Sequence, residues 1–185
     1  MVGHGAPRHV VGVDLSLTST GIAVYDTKPG WWRFGNPKTV GHRQDTWARQ
    51  TRRVYRLAER ICATVPSHAL VVVEGPSFNS VSTSVWERAA LYYQLTIWLQ
   101  DLEIPVAVAA PKTLKLWATG TGMAGKKSVQ NVAEQFVGQK LANNDVADAT
   151  ILALMGMHRL GLIDPPGAWR SKAIDRIEWP NRETV

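Results

Sequence analysis

Cysteine is almost absent from this 185-residue chain; Cys62 stands alone. A single thiol excludes an intrachain disulfide framework and a cysteine-built zinc site. Its place inside an apparent helix makes Cys62 a small, buried apolar residue. Long apolar runs are missing too. No stretch approaches the roughly 18 residues of a membrane span, and the opening MVGHGAPRH lacks the apolar core of a signal peptide. There is no internal repeat and no low-complexity tract. Acidic residues are the minority charge, 15 against 21 lysines and arginines. The resulting net charge of +6 and pI near 9.7 favour an acidic partner. What is present suits one globular domain, with 45% hydrophobic residues and eight tryptophans whose default role is core packing.

The pattern reads as α/β, a five-stranded mixed sheet flanked by helices. HVVGVDLS and GIAVYDTK are apolar strands joined by a short Leu-Thr-Ser-Thr link, which makes a hairpin. A third strand is predicted over Trp31–Val40, after the Pro29-Gly30 turn. Thr46–Thr64 reads as a helix. Trp47, Val54, Ala58, Ile61 and Val65 recur on one face, and Arg49, Arg52, Arg53, Arg56 and Arg60 on another. Ala69–Glu74 is a strand that Gly75-Pro76 ends. Ser84–Leu102 is a helix with more than one apolar stripe, and Pro105–Ala109 a fifth strand. Pro111 opens a short helix to Thr119, and GTGMAG leads into another helix from about Lys126. Asn143 or Asn144 caps the last clear helix, which ends near Gly161. Residues 1–165 form the single domain. The polar segment 166–185 is expected to be a loosely attached tail.

Four carboxylates stand at the ends of these elements: Asp14, Glu74, Asp145 and Asp148. An acid facing a sheet core is costly unless charge compensates it. A divalent cation is the simplest compensation, and two such cations can drive phosphodiester hydrolysis. If the strands ending at Asp14 and Glu74 are parallel neighbours, their ends meet where open α/β sheets build sites. Asp145 and Asp148 are three apart at a helix start, so they share a face near its positive end. Singly, Asp145 reads rather as an ordinary first-turn acid, and Glu74 equally as a turn residue; the set of four points to a metal-dependent nuclease. GTGMAG spells G-x-G-x-x-G, and GTGMAGKK nearly spells a P-loop. A helix rather than a strand precedes both, and Lys127 replaces the magnesium-holding hydroxyl, so no nucleotide cofactor is expected.

These segments resemble the RuvC-like Holliday-junction resolvases of the ribonuclease H-like superfamily. GVDLSLTSTG is similar to that family's opening strand and turn, and VVVEGPSF to its second acidic strand with a nearby aromatic. APKTLKLWATGTGMAGKKSVQ is similar to its basic, glycine-containing stretch, and NDVADATILAL to its final acidic helix. The likeness runs in order over about residues 10–160 and has a phage-type flavour. Leu15-Ser16 stands where Pro-Gly is usual. The resemblance implies a ribonuclease H-like domain in which Asp14, Glu74, Asp145 and Asp148 bind two Mg²⁺ or Mn²⁺ ions, Asp14 bridging both. It implies nicks with 5′-phosphate and 3′-hydroxyl ends in branched DNA such as four-way junctions. Lys115, Lys126 and Lys127 match the family's basic positions and Phe78 its aromatic; Arg49 and Arg53 belong to a candidate phosphate track. A homodimer in the bacterial cytoplasm, or in the host cytoplasm if phage-encoded, is the expected state. The rivals are an actin-like or sugar-kinase ATPase, a ribonuclease acting on hybrids, and a branched-DNA-binding protein that never cuts.

Overall fold

The computed structural model describes residues 7–76 and 84–180. Five strands and six helices follow one another along these residues. The order is β1 (His9–Asp14), β2 (Gly21–Asp26), β3 (Trp31–Gly35), α1 (Trp47–Cys62), β4 (Ala69–Glu74), α2 (Val85–Asp101), β5 (Val106–Ala109), α3 (Pro111–Thr119), α4 (Lys126–Val137), α5 (Asn144–Arg159) and α6 (Ala168–Ile174). The strands make one mixed sheet in the order β3-β2-β1-β4-β5. β1 and β2 form the expected antiparallel hairpin, and β3 pairs antiparallel with β2. β1 and β4 are parallel neighbours, with Val13 opposite Val73, so their C-terminal ends meet.

Both faces of the sheet are covered, which is why its central strands are almost unbroken valine. Side chains alternate between faces along a strand. Val11, Val13, Val71 and Val73 pack with Val54, Leu57, Ala58 and Ile61 of α1 and Leu91, Leu95 and Leu99 of α2. Val10, Val72 and Ala109 face the other layer, where α5 lies among α3, α4 and α6. Asp14 shares the parity of Val10, and Glu74 that of Val72. Both acids therefore stand on the α5 side.

α5 comes unusually close to the sheet. A Cβ on Gly12 would meet the Ala149 carbonyl oxygen at 1.9 Å, and one on Gly21 the Asp145 carbonyl oxygen at 1.9 Å. Only glycine permits this approach. Gly21 pairs with Asp14 in the hairpin, so the contact brings the first turn of α5 to the end of β1. The Asn143 side chain caps α5 by accepting the Val146 N–H at 2.9 Å.

Three expectations are corrected. β3 ends at Gly35 rather than Val40. Trp47 opens α1 but is 73% exposed, because the apolar stripe of that helix starts only at Val54. The segment after 166 is not loosely attached over its first half. Ala173, Ile174 and Ile177 are buried, and Arg170 lies within 5.5 Å of the ring centroids of Trp117, Phe136 and Trp169. A charged residue at the centre of an aromatic cluster disguises a packed helix as a polar tail.

Candidate active site

Asp14 and Glu74 end adjacent parallel strands, and their carboxyls share a hydrogen bond. Burial first, then the Glu74 hydrogen bond and the charges of Glu74 and Asp145, push the Asp14 pKa up to about 9. Burial also raises Glu74, with Asp148 adding repulsion. Asp148 is pushed up to about 7 by burial and by the charge of Asp14. Asp145, one turn earlier on α5, acts on both Asp14 and Asp148 and accepts a 2.5 Å hydrogen bond from Ser19 Oγ. The structure thus brings all four acids into one electrostatic cluster.

Two lysines answer this charge. Lys126, the first residue of α4, lowers the pKa of Asp14, Glu74 and Asp148; Lys115 of α3 lowers those of Glu74 and Asp148. Both therefore stand beside the acids. Pro111 starts α3, and the left-handed Gly120 (φ +83°) ends it, which turns the chain towards Lys126. Lys127 is exposed next to it.

Arg49 and Arg53 belong to a different surface. Both lie on α1, in the layer on the opposite side of the sheet from α5. Arg49 is exposed. Arg53 is a correction to the phosphate track: its Nη2 pairs with Glu87 Oε1 at 2.6 Å, both side chains are largely covered, and its charge ties α1 to α2. Phe78 lies outside the described residues.

A hard divalent cation suits this donor set, which is all carboxylate oxygen with no thiolate or imidazole. Among the described residues, no three acidic, histidine or cysteine side chains yet converge tightly enough to hold a single ion. Instead burial first, and repulsion among the acids second, raise the pKa values of Asp14, Glu74 and Asp148, and Lys115 and Lys126 only partly offset this. Charge of this kind is what a cation would compensate. Asp14, Glu74, Asp145 and Asp148 thus fit a divalent ion in chemistry.

Ser19, Asn36 and Asn143 complete the surroundings of Asp145 through a chain of hydrogen bonds. Asn143 is legible as a helix cap. The Leu-Thr-Ser-Thr link signals a turn but not that Ser19 reaches Asp145. Asn36 carries no signal, since its partner Asn143 is 107 residues away.

The sheet order, its helices and the position of the acids define the class: this is a ribonuclease H-like α/β domain, the fold of its structural neighbours. Within that class the chain is similar in sequence to two proteins named RuvC and in fold to two RuvC structures. It is 24% identical over 181 residues to a crossover junction endodeoxyribonuclease RuvC of Chromohalobacter salexigens, covering 97% of each chain. It is 27% identical over 151 residues to a protein of the same name from Zymomonas mobilis, covering 80% of this chain and 89% of the relative. A structure of Thermus thermophilus RuvC aligns with a TM-score of 0.64 at 22% identity, over 83% of this chain and 96% of that one. A second, of T. thermophilus RuvC in complex with Holliday junction substrate, aligns with a TM-score of 0.63 at 20% identity, over 86% and 99%. No protein-family model matches.

Proposed function

We propose that this chain is a structure-specific DNA endonuclease that resolves four-way junctions by metal-dependent phosphodiester hydrolysis. The observation that carries this reading is the electrostatic coupling of Asp14, Glu74, Asp145 and Asp148, from β1, β4 and α5, on which Lys115 and Lys126 also act, in a basic chain. The RuvC relatives, similar along most of the chain, support the substrate class.

Asp14, Glu74, Asp145 and Asp148 would hold two Mg²⁺ or Mn²⁺ ions, which supply an activated water and charge stabilisation for a leaving 3′-oxygen. The product is a nick with 5′-phosphate and 3′-hydroxyl ends. Asp14 is the central ligand, since it interacts with both Glu74 across the sheet and Asp145 on α5. Lys115 and Lys126 balance these acids and reach the phosphate beside the cut. Lys127 and Arg49 are exposed cations suited to the DNA backbone.

The working unit is a homodimer. On α2, Leu91, Leu95 and Leu99 turn to the core, while Trp86 (79% exposed), Tyr93 (63%) and Ile97 (49%) face outward. Trp86 also lines, with Ala90 of α2 and Trp47 and Tyr55 of α1, an open groove of about 650 Å³. An exposed apolar face of this size calls for a partner, and a two-fold pair suits a substrate cut twice.

The test is cleavage of a labelled four-way junction with Mg²⁺ and with chelator, beside linear duplex and an RNA–DNA hybrid. Paired nicks in the junction alone, only with Mg²⁺, are expected. Tight junction binding with no cleavage under any divalent cation would make the protein a non-cleaving junction binder. Preferential hybrid cleavage would make it another ribonuclease H-like nuclease.

A further inference from the structure

Asp145 is held from outside the carboxylate cluster. Ser19, in the link between β1 and β2, donates its hydroxyl proton to Asp145 Oδ2 at 2.5 Å. Asn36, just beyond β3, donates from Nδ2 to Ser19 Oγ at 3.1 Å and to the Thr20 carbonyl at 2.9 Å. Asn36 Oδ1 accepts from Asn143 Nδ2 at 3.0 Å, and Asn143 Oδ1 in turn caps α5. Every link has a direction. A serine hydroxyl has one proton. With Asn36 Nδ2 aimed at Ser19 Oγ, that proton takes the 2.5 Å path to Asp145 rather than the 3.4 Å path to Asn36 Oδ1. The chain of bonds ties three segments, the hairpin link, the end of β3 and the start of α5, to one carboxylate. Among the described residues no hydrogen bond reaches the other oxygen, Asp145 Oδ1.

We propose that Ser19 and Asn36, with the cap residue Asn143, are positioning residues for Asp145: they hold Oδ2 and leave Oδ1 as the one atom this carboxylate offers to a divalent cation. The proposal rests on the two-cation reading above. It assigns Asp145 a single-oxygen role set by the uncharged neighbours Ser19, Asn36 and Asn143. Freed of Ser19, the carboxylate turns about its own axis, and the site loses a ligand of set orientation. Partners of this kind around metal ligands are worth roughly 10- to 100-fold in affinity.

The experiment is a Mn²⁺ titration of the DNA-free protein, with free Mn²⁺ read by electron paramagnetic resonance. Parent, Ser19→Ala, Ser19→Thr, Asn36→Leu and Asp14→Asn are compared, each with its metal-free melting temperature. Ser19→Ala is expected to weaken Mn²⁺ binding about tenfold or more. Ser19→Thr keeps the hydroxyl and is expected to restore it. Asn36→Leu is expected to act in the same direction as Ser19→Ala by releasing the hydroxyl. Parent-like affinity in Ser19→Ala and Asn36→Leu, while Asp14→Asn has lost Mn²⁺, overturns the positioning role alone. Failure of Ser19→Thr to restore binding in a folded protein overturns it equally. Parent-like affinity in Asp14→Asn overturns the carboxylate–metal reading beneath it. Should Ser19→Ala not fold, Asn36→Leu and Ser19→Thr carry the same comparison.

Discussion

Asp14 sets function against stability in one side chain. Its folded pKa of about 9, and that of Asp148 at about 7, stand above an ordinary 3.8. A raised carboxylate pKa means that folding takes up a proton. The stabilising share of these groups is complete below their unfolded value and is lost as the pH rises through about 7 and then about 9. Asp14→Asn and Asp148→Asn are each expected to abolish junction cleavage while leaving junction binding intact in a gel shift without Mg²⁺. The metal-free Asp14→Asn protein is also expected to melt a few degrees higher at pH 8, a gain of about 1–2 kcal/mol, with the difference shrinking towards pH 4. A cation that takes these acids as carboxylates displaces the protons their raised pKa values hold, so calorimetry in buffers of different ionisation enthalpy is expected to record proton release at pH 7. Lys115→Ala and Lys126→Ala are expected to slow cleavage or weaken binding, each lowering the salt-dependence slope by about one. Unchanged behaviour across a salt series would leave them as solvated loop residues. The acids were legible because each interrupts a local pattern: valine alternation for Asp14 and Glu74, a capped helix start for Asp145 and Asp148. Arg53 was misread because its partner Glu87 lies on another helix, 34 residues on.

At the scale of elements, the contact between α5 and the hairpin decides whether the site exists. Gly21→Ala would drive a methyl group into the Asp145 carbonyl and lift the first turn of α5 from β1. Overpacking of this sort typically costs about 1–3 kcal/mol. Urea melts are expected to register that loss, and cleavage to fall further than stability alone explains, because Asp145 and Asp148 move with the helix. Strands and helices were readable to within a residue or two where their periods were unbroken, as at Ala69–Glu74 and Pro111–Thr119. α6 was not, since its buried Ala173 and Ile174, and Ile177 just beyond it, are interleaved with charge. Ile174→Ala is expected to cost about 2–3 kcal/mol in the same melts, whereas a loosely attached segment would give under about 0.5 kcal/mol.

For the whole molecule, the outward stripe of α2 is the face to which the proposed two-fold pairing is assigned. Light scattering at micromolar concentration is expected to give twice the 20.4 kDa of one chain, and Tyr93→Arg with Ile97→Glu to return the single-chain mass. A monomeric parent would remove the two-fold reading. Part of the sheet order was open to inference: the hairpin is local, and parallel neighbouring β1 and β4 were the condition under which Asp14 and Glu74 meet. The alternation that puts both acids on the α5 side follows from the same register. How Asn36 reaches Asn143 was beyond sequence reasoning, because the pairing exists only after the sheet and α5 have docked.

The division of the acids between sheet and helix also has a meaning in time. A ribosome delivers Asp14 and Glu74 early and Asp145 and Asp148 only near the end of synthesis. Until the segment of α5 has emerged and docked onto Gly12 and Gly21, the growing chain carries half of the acidic cluster. An abortive translation product that stops before residue 145 therefore lacks two of the four acids to which the proposed metal site is assigned.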